Sequence, residues 1–353
     1  MAGPIKFIRK YTMSVEQQHA VVGKNEQGDA IAINDVQSYV KIPPELTCDF
    51  EVVKSALTEG AKATFRVTNL PKDIRDSILK SYFDGADIRG MNFYAGYKSQ
   101  ISGANSPLPL VFKGQLMSVS FTRASGSPDD ITTIEAIDSL WDRTNAVCAD
   151  AQGNPLPPFP AGTTVAHKVR ALAQLMPYVS PNVVISAVWS EPPNISTRVD
   201  TYTGNVWSNI CELTQNKAFI DNGVLYVLSD TDVLPSQNNT VTLDETVILG
   251  EPRLEKAMLY CDIIFEPSII NGMAVYVDTA FSTKLTGWWK VYQVTHKGMI
   301  SPAVDTGCVT TVTLWKGPGN SPSLNGATQV VQGPKGTTTN FLPFTPAPAP
   351  SSS

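Results

Sequence analysis

Apolar and polar residues alternate with a period of two along much of this chain, the mark of strands that turn one face to a core and the other to water. Ala63, Phe65 and Val67 alternate with Lys62, Thr64, Arg66 and Thr68, and Met117, Val119 and Phe121 alternate with Ser118, Ser120 and Thr122. Val309, Thr311 and Thr313 alternate with Thr310, Val312 and Leu314, a two-sided run suited to burial on both faces. The N-terminal stretch, Met1 to Gln18, reads as a further strand. Turn signals punctuate these runs. Glu59-Gly60 precedes the Phe65 strand, and Asp221-Asn222-Gly223 lies between two apolar segments and predicts a hairpin.

A spacing near 3.6 marks a smaller set of short helices. Pro71 suits the first turn of one that carries Ile74, Ile78, Leu79 and Tyr82. Asp138 or Ser139 can cap a second, running through Leu140 and Trp141 toward Val147. A third starts near Thr163 or Thr164, turns Val165, Val169, Leu172 and Met176 inward and is stopped by Pro177, with His167, Lys168 and Arg170 on its other face. A fourth follows Asn205 with Val206, Ile210 and Leu213 inward.

This order predicts an α+β fold, mostly β, in four stretches. They are a strand-rich block at 1–150, a mixed α/β block at 151–239, a second strand-rich block at 240–316, and an extended tail at 317–353 rich in Pro, Gly, Ser and Thr. The Gly153 to Gly162 segment, dense in proline and glycine, marks the first boundary. The tail cannot bury enough surface to fold alone, and its apolar island Phe341 to Phe344 is either a partner anchor or a solvated stretch.

Composition narrows the classes of function. With 42% hydrophobic and 17% charged residues the chain can build a core, and whole-chain disorder is excluded. A net charge of −5 argues against nucleic-acid binding by bulk electrostatics. No apolar run approaches the roughly 20 residues needed to span a bilayer, and the N-terminus lacks the apolar segment of a signal peptide. Cys48, Cys148, Cys211, Cys261 and Cys308 form no CxxC pair, and their odd number fits a reducing compartment.

Motifs that carry site chemistry are few. There is no GxSxG, HExxH, GxxxxGK[ST] or strand-linked GxGxxG, so no catalytic, cofactor-binding or metal-binding residue and no cofactor is assigned. Asp230-Thr231-Asp232 opens like a calcium loop, but Leu234 stands where an oxygen ligand belongs. Asp129-Asp130 reads as a solvated turn, and His167 as a surface residue. Adjacent Trp288 and Trp289 point to opposite faces of a strand, so one belongs in a core and the other suits a subunit contact better than a sugar platform. Asn194-Ile195-Ser196 and Asn238-Asn239-Thr240 match glycosylation sequons but carry no weight without secretion.

Phe65 to Leu70 (FRVTNL), Ala95-Gly96-Tyr97, Phe112-Lys113-Gly114-Gln115-Leu116 and Asp130-Ile131-Thr132-Thr133-Ile134 follow one another along the chain, and this succession resembles consecutive segments in the first domain of the baseplate hub proteins of contractile-tailed phages. The helix and hairpin from Asn205 to Asp230, and Gly287 to Met299 running into His296 and Gly298, are similar to that family's later segments. The likeness spans about Cys48 to Trp315. Met299 departs from the acidic residue common after that glycine, and His296 would serve a structural role at a strand end.

The resemblance implies two barrel-like antiparallel domains packed together and a homotrimer with pseudo-sixfold symmetry. Its partners would be a tail-tube or tube-adaptor protein, a central spike protein, the tape measure protein and surrounding baseplate proteins. It implies a DNA ejection channel without sequence-specific nucleic-acid binding, no enzyme activity, no membrane span, and a place in the virion after synthesis in the host cytoplasm. No spike-like repeat occurs here, which favours a separate spike protein. Two other readings stand beside it: a tail-associated cell-wall hydrolase, and a β module binding host glycans through Trp288, Trp289 or Tyr292.

Overall fold

The alternating runs form strands and the 3.6-spaced runs form helices, in proportions among the described residues of 48% strand and 13% helix that make the fold a mostly-β member of the α+β class. The computed structural model describes residues 9–16, 39–56, 59–79, 89–97, 108–123, 126–149, 153–186, 189, 195–230, 232–234, 241–303 and 307–315, with the backbone of 330–332 and 338–340. His19, Tyr82, Asn194, Asn238 and the Phe341 to Phe344 island lie outside the described residues. The chain divides into two units. The first is Met1–Val52, Lys62–Ile137 and Lys297–Cys308; the second is Val53–Ala61, Asp138–His296 and Val309–Ser353.

The first unit contains β1 (Arg9–Glu16), β2 (Tyr39–Ile42), most of β3 (Cys48–Ser55), β4 (Lys62–Thr68), α1 (Lys72–Ile78), β5 (Gly90–Tyr97), β6 (Leu110–Arg123) and β7 (Asp130–Ile137). Its strands follow the order β3-β4-β7-β6-β5-β1-β2. The core is aromatic. Phe93 lies 5.2 Å from Phe50, 4.7 Å from Phe65 and 6.1 Å from Tyr11 between ring centroids, all tilted, the arrangement favoured by the ring quadrupole. The FKG segment has a packing cause. A Cβ on Gly114 would lie 2.5 Å from the Phe112 ring and 2.9 Å from the Ile137 carbonyl, so only glycine lets Phe112 fold over the strand.

Strand β6 departs from simple alternation. A bulge between Leu116 and Ser118 sets Leu116 opposite Ala136 and Val119 opposite Ile134, all four inward. Two inward residues three apart require that extra residue, which leaves Met117 and Phe121 exposed although Val119, of the same alternating set, is buried.

The second unit contains α2 (Leu140–Asn145), α3 (Val165–Ala173), β8 (Val184–Ile185), α4 (Val206–Leu213), β9 (Ala218–Asp221), β10 (Val224–Val227), β11 (Val241–Leu243), β12 (Arg253–Glu255), β13 (Met258–Ile264), β14 (Ala274–Val277), most of β15 (Gly287–Ile300), β16 (Cys308–Trp315), β17 (Val330–Gln332) and β18 (Thr338–Asn340). The predicted hairpin is β9 and β10, turning through Asn222 and Gly223, both at positive φ. It joins a sheet ordered β18-β17-β8-β10-β9, so the backbone of the low-complexity tail is added to a sheet. Helix α3 is capped by Thr164, whose hydroxyl accepts from the His167 N–H, and α4 by Asn205, which accepts from Ser208. Val169, Leu172, Val206 and Ile210 close the core over Ile220 and Leu225.

A second core lies among β13 to β16, built on Leu259, Ile263, Val275, Trp289, Val291 and Val312. One face of β16, Thr310, Val312 and Leu314, is fully buried; the other, Val309, Thr311 and Thr313, is half-buried. The strand order ends openly at β2 in the first unit and at β12 in the second, so among the described residues neither sheet closes into a barrel.

Candidate functional site

The residues with chemical potential are mostly committed to structure. Asp130 opens β7 and accepts from Arg123 Nε and Nη2 at 2.6 and 2.7 Å, which holds its carboxyl below the usual range. Asp129 accepts from Asn69 Nδ2 at 2.7 Å, and Asn69, at φ 56, makes the turn at the end of the FRVTNL segment. Asp230 pairs with Lys217 at 2.6 Å, and Asp232 accepts from Ser186 Oγ. The carbonyls of Ser229 and Asp230 are bound by the Lys290 ammonium at 2.8 and 3.3 Å. A lysine thus occupies the position a cation would take at this turn, and burial lowers its pKa to about 8. Among the described residues no group of three or more His, Cys, Asp or Glu side chains gathers as a metal site would require.

His167 is exposed, with its ring edge-on to Phe159 at 6.4 Å. Its neighbour Lys168, expected on the polar face of the helix, is instead buried and pairs with Asp200 at 2.5 Å, because Ser196 and the 195–200 segment fold over it. His296 stands within β15 and not at its end. It is fully buried, lies edge-on to Phe265, and its Nδ1 is 2.9 Å from Thr310 Oγ1. Burial and the Lys54 charge depress its pKa to about 3, so it is neutral. Trp289 fills the core and donates Nε1–H to the Leu285 carbonyl at 2.8 Å. Trp288 points the other way, against Tyr276 and beside Val233 and Ala274, and Tyr292 is half-buried. All five cysteines are free.

The residues that composition left unmarked form a buried charge cluster in the second unit. Lys54, fully buried, donates to Asp221 Oδ1 at 2.7 Å, while Asp221 Oδ2 is buried without a hydrogen-bond partner. Asp138 does not cap α2. Both its oxygens accept from the Gly223 N–H at 3.2 Å, and Ser139, at the α2 N-cap with φ 49, donates Oγ–H to it at 2.8 Å. Burial and the Asp221 charge push the Asp138 carboxyl up to about 6. One helix turn on, Asp142 accepts from the Tyr178 N–H at 3.1 Å and is likewise pushed up to about 6 by burial. Nothing local in sequence signals this cluster, because Lys54 and Asp221 stand 167 positions apart.

The outward faces of the sheets share a chemistry in the two units. In the first, Ser118 and Thr64 flank Glu135, Ser120 and Arg66 flank Thr133, and Ser118 Oγ donates to Glu135 at 2.6 Å. In the second, Thr311 faces Asp262 and donates to it at 2.5 Å, with Thr313 facing Tyr260. Each face is lined by short hydroxyl side chains with carboxylates among them, and on the first Arg66 pairs with Asp49 at 3.2 Å.

The fold has counterparts among phage tail proteins. The 43 kDa tail protein of prophage MuSo2 from Shewanella oneidensis superposes with a TM-score of 0.52 at 8% identity, covering 88% of this chain and 97% of that one. A tail protein from Neisseria meningitidis MC58 gives 0.48 at 13% identity over 88% and 98% of the two chains. An Escherichia coli component of the type VI secretion system, described as similar in structure to the T4 tail proteins gp27 and gp5, gives 0.49 at 9% identity over 80% and 76%. No curated protein matches the sequence. The MuSo2 likeness shows a shared fold. The sequence then names the family: the model described as baseplate hub gp41 matches residues 30–298, and the chain belongs to that family. It is a structural component of the phage baseplate and of the virion. Among the described residues no helix is long and apolar enough to cross a membrane.

Proposed function

We propose that three copies of this chain form a hub ring that joins a hexameric tail tube to a trimeric central spike and surrounds part of the DNA ejection path, without catalysis. Each copy holds two sheet-bearing units, so three copies carry six, the number that matches a sixfold tube. The observation that carries the reading is the chemistry of the outward sheet faces. A wall that lets DNA slide must not gather phosphates, since each phosphate neutralised releases counterions and makes the contact strong and salt-dependent. Ser118, Ser120 and Thr133 with Glu135, and Thr311 and Thr313 with Asp262, make faces rich in hydroxyls and carboxylates, on which the Arg66 guanidinium is already paired with Asp49 at 3.2 Å, and such faces meet this requirement. The free thiols support assembly from protein made in the host cytoplasm. A tape measure protein and neighbouring baseplate proteins are further contacts of such a ring.

Light scattering coupled to size exclusion tests the assembly. The expected mass is three times 38.1 kDa, or 114.3 kDa, alone or after addition of the spike protein. A chain that stays at 38.1 kDa with the spike present overturns the reading. So does salt-sensitive retention of double-stranded DNA by the assembled ring.

A further inference from the structure

The buried cluster of the second unit holds one more charge than it can balance. Lys54 supplies a single ammonium, held by Asp221, while Asp138 lies beside them with no cation of its own in hydrogen-bond contact. Asp221 Oδ2 is buried without a hydrogen-bond partner, which is costly for an ionised carboxylate. We propose that Asp138 is a proton switch: on mild acidification its carboxyl takes up one proton, the cluster becomes neutral, and the junction of the Lys54 end of β3, α2 and the β9–β10 hairpin tightens.

The groups facing Asp138 come from every element packed on it. Lys54 enters from the end of β3, Asp221 from β9, the Gly223 N–H from the hairpin turn and Tyr226 from β10. Its own element contributes Ser139, Asp142 and Arg143, with Glu59 facing Arg143 and His296 facing Lys54. Arg143 stacks on Trp207 at 5.2 Å, and its Nε makes no hydrogen bond. Arg143 is within electrostatic reach of Asp138 but makes no hydrogen bond to it, so the ammonium nearest in role to the two carboxylates is that of Lys54, hydrogen-bonded to Asp221.

The sign follows from linkage. A carboxyl whose folded pKa is raised from 3.8 to about 6 binds its proton more readily in the folded state between those values. Its contribution is present at pH 5 and lost as pH rises through 6. His296, buried and neutral, opposes this over the same range, and Asp142 adds to it, so only a comparison between variants isolates Asp138.

The test uses the full chain. All six tryptophans, Trp141, Trp189, Trp207, Trp288, Trp289 and Trp315, lie in the second unit, so their fluorescence follows its unfolding. Denaturant titrations of the wild type and Asp138→Asn are compared from pH 7.5 to pH 5. The ratio of their folding constants is expected to rise about tenfold toward pH 5. A constant ratio, the result for a merely structural role, overturns the proposal. Should Asp138→Asn fail to fold, carbon-13 spectra of aspartate-labelled Asp142→Asn protein serve instead. One carboxyl titrating near pH 6 supports the switch, and none titrating above about pH 5 overturns it.

Discussion

Replacing Lys54 with methionine tests whether the cluster behaves as a buried ion pair. Methionine keeps most of the aliphatic length, so little packing is lost and the change is close to the removal of one charge. What remains is Asp221, 3% exposed, beside Asp138, 1% exposed, with the ammonium that held Asp221 gone. Breaking a buried pair from one side costs about 3 to 5 kcal/mol, because the surviving charge is left uncompensated. Tryptophan fluorescence in a denaturant titration at pH 7.5 reads this loss in the second unit alone. Two further features separate charge from simple damage. Lys54→Met with Asp221→Leu should recover most of the loss, since a hydrophobic replacement of both partners is often neutral or stabilising. The single variant should also be rescued by lowering pH to about 5.5 more strongly than the wild type. Without the ammonium the Asp138 carboxyl sits further above its unfolded value, so it destabilises most when ionised and is relieved as a proton binds. A loss under about 1 kcal/mol, or one unchanged with pH, would refute the reasoning.

Other expectations follow from single contacts. Gly298 adopts φ 153, and a Cβ there would lie 2.6 Å from Cys308 Cα and 2.7 Å from the Gly307 carbonyl; Gly298→Ala should cost about 2 to 3 kcal/mol through backbone strain, read by hydrogen exchange at β1, β5 and β6, since the first unit has no tryptophan. His296, depressed from 6.5 to about 3, remains neutral while its unfolded counterpart charges. The unfolded chain then binds the extra proton, so stability falls as pH drops below 6.5, by up to about tenfold in the folding constant per pH unit. His296→Gln should remove that slope in the tryptophan signal, and an unchanged slope would place it in another group.

The parts of this fold that were legible in the sequence are those decided within a few residues. Thr164 and Asn205 cap helices in the positions their spacing implies, because a cap is a bond between a side chain and an N–H three residues on. The Asp221-Asn222-Gly223 turn was readable for the same reason, since both central residues need positive φ. What escaped was decided at a distance. Lys168 looks like a surface residue of an amphipathic helix until Asp200, 32 positions on, is brought against it, and Lys54 needs Asp221 from 167 positions away. The Leu116 bulge is hidden similarly, because alternation through Met117 and Val119 looks regular until the register of β7 fixes which residues face inward. Asp138 combines both cases. Its place before a helix suggested a cap, a local role, yet the hairpin turn that was itself legible claims the carboxylate instead. A buried acid is drawn to the donor best able to replace water, and a turn N–H fixed at positive φ is such a donor. The cost of that arrangement is a carboxyl held beside another with one ammonium between them, which is why the second unit's stability should carry the mark of a single proton.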